Sequence, residues 1–131
     1  MTSLSGAKLA LRTHRLVSKP WGHEIVVTDA ALPYTGKLIH VRAGHRLSLQ
    51  IHDMKTETLV LISGSASLAL EADGKMTEIE MVVSEGYTVV PGRRHRLSAA
   101  EDSLVMEVST PEVGTTYRLE DDYSRLDEVR R

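Results

Sequence analysis

The chain has 131 residues, a formal net charge of −2, no cysteine and no phenylalanine. At this length one domain is expected, with a moderate core filled by Leu, Val and Ile. The absence of Cys excludes a disulfide framework and thiolate chemistry, and the near-neutral charge gives no pull toward nucleic acid or an anionic membrane.

Residues 1–18 mix Ser, Gly, Lys and Arg with scattered Leu and read as an N-terminal arm. Met1 to Leu11 holds no long apolar segment, so neither a secretory signal nor a membrane span is expected, and a cytoplasmic setting follows as the default. Residues 19–131 read as a single folded domain. Lys19-Pro20-Trp21-Gly22 is a turn, because proline biases its predecessor toward extended geometry. His23 to Thr28 and Lys37 to Arg42 read as strands separated by a loop holding Pro33 and Gly36.

From Ala43 onward, turn signals recur about every eight to twelve residues. They fall at Asp53 to Thr56, Gly64-Ser65, Asp73-Gly74, Ser84 to Gly86, Pro91-Gly92 and Glu101-Asp102, with Val/Ile/Leu/Thr-rich runs between them. That spacing predicts an all-β sandwich or barrel of antiparallel strands. Asp73-Gly74 is the strongest hairpin turn. The charged tail, Asp121 to Arg131, reads as one terminal turn or short helix.

Polar residues with ligating atoms interrupt two of these strands. Leu47, Leu49 and Ile51 alternate with Ser48, Gln50 and His52. Residues i and i+2 of a strand share a face about 6–7 Å apart, so Gln50 and His52 aim at one place. If the chain returned beside them after Asp53 to Thr56, Glu57 would reach the same spot. Polar groups on a buried face are costly unless partnered, and a divalent cation would partner them. His95, opening a strand after Pro91-Gly92, offers a further ligand from a distant part of the chain. Gln50, His52, Glu57 and His95 form a nitrogen and oxygen set that suits zinc, manganese, iron, nickel or cobalt, with positions left open for substrate. His23, His40 and His45 lie outside this spacing and read as half-exposed strand or turn residues.

These segments resemble the two cupin motifs. Gly44, Gln50, His52, Glu57 and Gly64 match the first, and Gly86, Pro91 and His95 match the second with a turn one residue short. More narrowly, Lys19-Pro20-Trp21-Gly22, Arg46-Leu47-Ser48-Leu49-Gln50-x-His52, His95-Arg96-Leu97 and the run Arg118-x-Glu120-Asp121-Asp122-Tyr123-Ser124-Arg125 are similar to the type II mannose-6-phosphate isomerase domain. That domain often forms the C-terminal part of bifunctional enzymes that also make GDP-mannose. The resemblance implies a double-stranded β-helix, or jelly-roll barrel, over residues 19–131. It implies one divalent metal, zinc in the first instance, and interconversion of mannose 6-phosphate and fructose 6-phosphate through an enediolate held by the metal. It also implies a homodimer, in which the arm or an early strand takes part.

For the sugar phosphate, guanidinium and ammonium groups are needed. Arg96 and Lys55 stand as catalytic candidates, with Lys19, Lys37, Arg118 and Arg125 as phosphate ligands and Arg93 and Arg94 as further cations. The chain departs from the type II pattern at Lys55, where an Arg usually stands, and at Thr58-Leu59, where a His-Trp pair does. The alternatives on the same fold are a metal-binding module that holds a small polar or sugar ligand without turnover, and a non-haem metal oxygenase.

Overall fold

A computed structural model describes residues 12–130. Twelve strands make two six-stranded sheets with no helix among the described residues. The first sheet runs, in spatial order, β1 (Arg15–Lys19), β2 (Gly22–Val26), β3 (Thr35–Val41), β10 (Ser103–Ser109), β5 (Glu57–Ser63) and β8 (Gly86–Val89). The second runs β12 (Glu128–Arg130), β11 (Gly114–Glu120), β4 (Leu49–His52), β9 (His95–Ala99), β6 (Ala66–Ala72) and β7 (Lys75–Glu80). Every pairing is antiparallel. Asp73-Gly74 is the hairpin turn between β6 and β7, with Ala72 opposite Lys75. Both of its residues have positive φ, 51° and 75°, as a two-residue hairpin turn requires.

The sheets face each other across a core that includes Trp21, Ile39, Leu59, Leu61, Leu68, Leu97 and Val105. Strand alternation puts every second residue into this space. In β3, Lys37, Ile39 and Val41 are buried, while Leu38 and His40 between them are only half-buried. Fully burying one large aliphatic side chain stabilises by about 1.5–3 kcal/mol, so this sandwich interior is the main source of stability. The Pro-Trp-Gly turn closes it at one side. Trp21 is 2% exposed, and its carbonyl accepts from the Arg42 amide at 2.9 Å. Gly22 follows because any Cβ there would sit 1.9 Å from the His40 carbonyl oxygen.

Three expectations need correction. The arm does not extend to residue 18: Arg15 to Lys19 is a strand paired with Gly22–Val26 of the same chain, while residues 1–11 lie outside the described part. The tail forms no helix. It turns at Asp122-Tyr123 and ends in β12, which pairs with β11. Finally, Glu57 does not return beside β4. Asp53 to Thr56 carries the chain across to the other sheet, and β5 pairs with β8 and β10. A register based on nearest neighbours cannot anticipate a crossing between sheets.

Candidate metal centre

His52 ends β4, Glu57 starts β5 and His95 starts β9, so all three stand where strands enter or leave one end of the sandwich. One ligand atom from each lies within 4.8 Å of the other two. Both imidazoles converge on a single carboxylate oxygen: His52 Nε2 lies 2.9 Å and His95 Nε2 3.0 Å from Glu57 Oε1. All three residues are almost fully buried, none more than 4% exposed.

The proton positions decide what this cluster can hold. His95 Nδ1 lies 3.0 Å from the Arg93 carbonyl, which can only accept. The proton therefore sits on Nδ1, and Nε2 presents a lone pair. That lone pair faces an oxygen lone pair on Glu57, and His95 Nε2 has no hydrogen-bond partner among the described residues. Two buried acceptors face to face are unfavourable unless a cation sits between them. His52 fits the same arrangement. Its Nδ1 lies 2.9 Å from Thr116 Oγ1, so donation to that hydroxyl would free Nε2 for the cavity. A hydrogen-bond partner on the far ring nitrogen, fixing the ring's tautomer and orientation, is what a ligating histidine needs. The donor set fits a divalent metal by charge as well as by geometry. Gln50 pairs with His95 in register and lines the same cavity, on the inward face it shares with His52.

The shortened Pro91-to-His95 turn does not displace His95. Gly92 takes φ +82°, which a non-glycine residue rarely adopts. Its amide donates to the His52 carbonyl at 2.9 Å, tying the turn to the strand that carries the other histidine.

Charge packs densely behind the ligands. Lys55 Nζ lies 3.3 Å from Glu107 and from Glu112 and 3.9 Å from Glu57. Burial opposes its charge, but these carboxylates outweigh the penalty and hold its ammonium above the usual lysine range. Burial likewise opposes ionisation of Glu57, yet the Lys55 charge beside it keeps that carboxyl well below its usual range. Glu107 goes the other way: burial and the neighbouring Glu57 charge push it up to about 8. Glu112 resists burial through Lys55, Lys37 and Arg130 and falls to about 2. Burial lowers His52, with Glu57 partly compensating.

The predicted cations divide. Lys19, Lys37, Lys55, Arg118 and Arg125 all line the cavity beside the ligands. Lys19 is the least committed, its nearest carboxylate being Glu24 at 3.9 Å. Lys37 bridges Glu24 and Glu112. Arg118 pairs with Glu128 at 3.0 Å, and Arg125 with Asp121 at 2.9 Å. Arg96 is the correction. Alternation along β9 turns it away from His95, and it lies outside the cavity. There its Nε donates to the Leu47 carbonyl at 2.9 Å and its Nη2 to Asp122 at 3.1 Å. Arg46 grips the same Asp122, so both arginines clamp the tail run. Arg93 is exposed, and Arg94 is held by Glu71 at 2.8 Å; neither lines the cavity. His23, His40 and His45 are half-buried and stand apart from the cluster.

Sequence reasoning missed Thr116, Glu107 and Arg130. Glu107 had a signal: in Ser103 to Ser109 it occupies the same buried parity as Val105. Thr116 and Arg130 had none, because only long-range pairing brings β11 and β12 to this cavity.

Comparison with known proteins agrees with this architecture. A mannose-1-phosphate guanylyltransferase of Escherichia coli is 37% identical over 65 residues, covering 50% of this chain and 13% of its own length. The alginate biosynthesis protein AlgA of Pseudomonas aeruginosa is 30% identical over 119 residues, covering 90% of this chain and 23% of its own length. The chain thus spans less than a quarter of the length of these relatives. Among solved structures, an oxalate decarboxylase of Bacillus subtilis with Mn(II) centres superposes with a TM-score of 0.68 at 16% identity, covering 81% of this chain and 30% of that one. The fold is therefore the cupin jelly roll expected from the motifs. A family model described as Mannose-6-phosphate isomerase C-terminal matches residues 7–128. With nearly the whole domain matched, the chain belongs to that family.

Proposed function

We propose that the chain is a metal-dependent sugar-phosphate isomerase interconverting mannose 6-phosphate and fructose 6-phosphate, with zinc as its metal. The observation that carries this reading is the convergence of His52 Nε2, His95 Nε2 and Glu57 Oε1 at the wall of a cavity lined by several cations. Those three atoms would hold the metal, with Gln50 beside them. A bound divalent metal supplies a Lewis acid that polarises the neighbouring oxygens of an aldose or ketose.

The remaining chemistry falls to side chains of the cavity. Isomerisation moves a proton between adjacent carbons, so a carboxylate must accept and return it. Glu24 lines the cavity and is held only by ammonium groups at 3.6 and 3.9 Å. Its oxygens keep lone pairs free for this role. Lys55, locked among three carboxylates, is unsuited to give up a proton and acts as fixed positive charge beside Glu57. Lys19 is suited to the substrate phosphate because it has the weakest internal pairing. Arg118 and Arg125 would contribute by exchanging carboxylate partners for phosphate oxygens, to which guanidinium groups are matched.

The test is metal content by elemental analysis, followed by a coupled assay for fructose 6-phosphate formation from mannose 6-phosphate. About one metal per chain, with activity lost on chelation and restored by zinc, is expected. A metal-loaded chain without turnover would overturn the isomerase reading in favour of a ligand-binding module.

A further inference from the structure

The outward side of the first sheet carries two histidines that the metal centre does not use. His23 on β2 and His40 on β3 stand directly opposite each other in the register. Their rings are stacked, with centroids 4.3 Å apart and planes inclined by 18°. The row they share continues through Ser18 on one side and Leu104 and Ser63 on the other, none of which carries charge. Glu24 and Ile39, their neighbours along the two strands, are buried on the inward side. The sheet itself therefore separates the pair from the His52–Glu57–His95 cluster.

Stacking alone does not account for the pair. His40 Nδ1 is buried and has no hydrogen-bond partner among the described residues. Buried polar atoms are nearly always partnered, so this nitrogen requires a group that the neighbouring strands do not supply. Burial, and then the His23 charge, hold the His40 imidazole below its usual pKa, so at pH 7 the ring is neutral and offers a lone pair.

Two neutral imidazoles side by side make a chelating pair for a transition-metal ion. Opposed residues of an antiparallel pair have Cβ atoms about 4.5–5.5 Å apart. Zinc–nitrogen bonds of about 2.0–2.1 Å bring two nitrogens of a tetrahedral site to roughly 3.3 Å from each other. The ring torsion of histidine is broad, so a turn of each ring brings two nitrogens to that spacing without moving the backbone. The hollow beside the pair supplies what the histidines lack. Asp102 lines it together with both rings. One of its carboxylate oxygens accepts from the Ala43 amide at 2.8 Å, which leaves the other for a metal-bound water. Arg42 also borders the hollow, but its guanidinium donates to the Pro20 carbonyl at 2.6 Å.

We propose that His23 and His40 form a second metal site, a two-histidine clamp for zinc or a similar divalent transition metal, on the outer face of the first sheet. An ion held there ties β2 to β3 two residues beyond the buried Trp21, and stabilises the folded chain increasingly as its concentration rises.

The test is isothermal titration of zinc chloride into the full chain, free of any affinity tag. Wild type is expected to bind two equivalents. His23→Ala and His40→Ala are each expected to weaken one of them at least tenfold, and His95→Ala to remove the other. Zinc should still raise the Tm of His95→Ala, and should not raise that of the His40→Ala/His95→Ala double variant. Both substituted positions are outward and half-buried, and far-UV circular dichroism confirms that the variants fold. Should His40→Ala not fold, His23→Ala decides alone. Were the metal centre unable to bind, wild type would take one equivalent and His23→Ala none, so the two sites fail separately. Zinc uptake unchanged by either outer-face substitution would overturn the proposal. So would uptake abolished by His95→Ala alone.

Discussion

The two ends of the sandwich interior are built by the same strands and differ almost completely in chemistry. At one end the inward positions are Lys37, Glu57, His95 and Glu107. Two residues further along the same strands they are Ile39, Leu59, Leu97 and Val105, and two further still Val41, Leu61, Ala99 and Ser103. The same strands build both ends, so the contrast in chemistry lies in their side chains. The apolar end lowers the free energy of folding. The polar end raises it, because desolvating charges costs several kcal/mol per ion, which pairing recovers only in part. A fold that tolerates such a cluster does so because the neighbouring apolar layers hold the strands in place. The candidate metal centre sits at the end that contributes least to stability.

The largest effect is expected at the junction of these networks. Glu57 is the shared partner of His52, His95 and Lys55. Glu57→Ala leaves a buried ammonium short of one counter-charge and removes a ligand. Breaking a buried pair in this way typically costs about 3–5 kcal/mol. Urea denaturation of the metal-free variant should therefore show a loss of that order, and metal uptake should vanish with it. A variant as stable as wild type would mean that Lys55 does not depend on Glu57.

A pair of substitutions on one strand sharpens the contrast between the ends. Leu97 and His95 are both 2% exposed and two residues apart on β9. Leu97→Ala opens a cavity and should cost about 2–5 kcal/mol while leaving metal stoichiometry unchanged. His95→Ala removes a ring whose Nε2 already lacks a hydrogen-bond partner, so it should cost the metal-free protein less than Leu97→Ala. Metal affinity should nevertheless fall at least a hundredfold. Competition with a chromophoric chelator reads affinity, and urea midpoints read stability. Equal stability losses in the two variants would show that the ends are not energetically distinct.

The apolar end was largely legible in the sequence, because period-two alternation and recurrent turn residues are local signals. Gln50 and His52 on one face, the Asp73-Gly74 turn and the strand opened by His95 all belong to that class. The path of Glu57 was not legible. Its neighbour in sequence, β4, lies in the opposite sheet, and nothing in Asp53 to Thr56 encodes a crossing rather than a hairpin. Arg96 shows the opposite failing. Alternation already placed it on the face away from His95, and the structure follows alternation rather than motif adjacency. The tail misled for a physical reason: its charges suggested solvation, yet Arg46 and Arg96 bind Asp122 and pin it to the domain. Partners far apart in sequence leave no pattern for a periodicity argument to find.

The smallest predicted effect concerns the proton held at the polar end. Glu107 is pushed up from an ordinary value of 4.5 to about 8 by burial and the adjacent Glu57 charge. Below pH 4.5 both folded and unfolded chains carry this proton, so its contribution is fully present. Between 4.5 and 8 the unfolded chain releases it and the folded chain keeps it, so stability falls as pH rises. Glu112, depressed to about 2, has the opposite sign: its contribution is complete above 4.5 and fades as pH drops toward 2. His52, lowered by burial, also loses stability on the acid side. A raw stability curve therefore mixes opposing slopes, and the difference between two proteins is the clean observable. Glu107→Gln keeps the shape and removes the titration. In metal-stripped protein, wild type should lose ground to Glu107→Gln by on the order of 1 kcal/mol per pH unit between pH 5 and 8. Urea midpoints at pH 5, 6.5 and 8 would show the two curves diverging. Parallel curves would mean that Glu107 is already ionised in the fold, and that Lys55 and Lys37 neutralise both carboxylates at once.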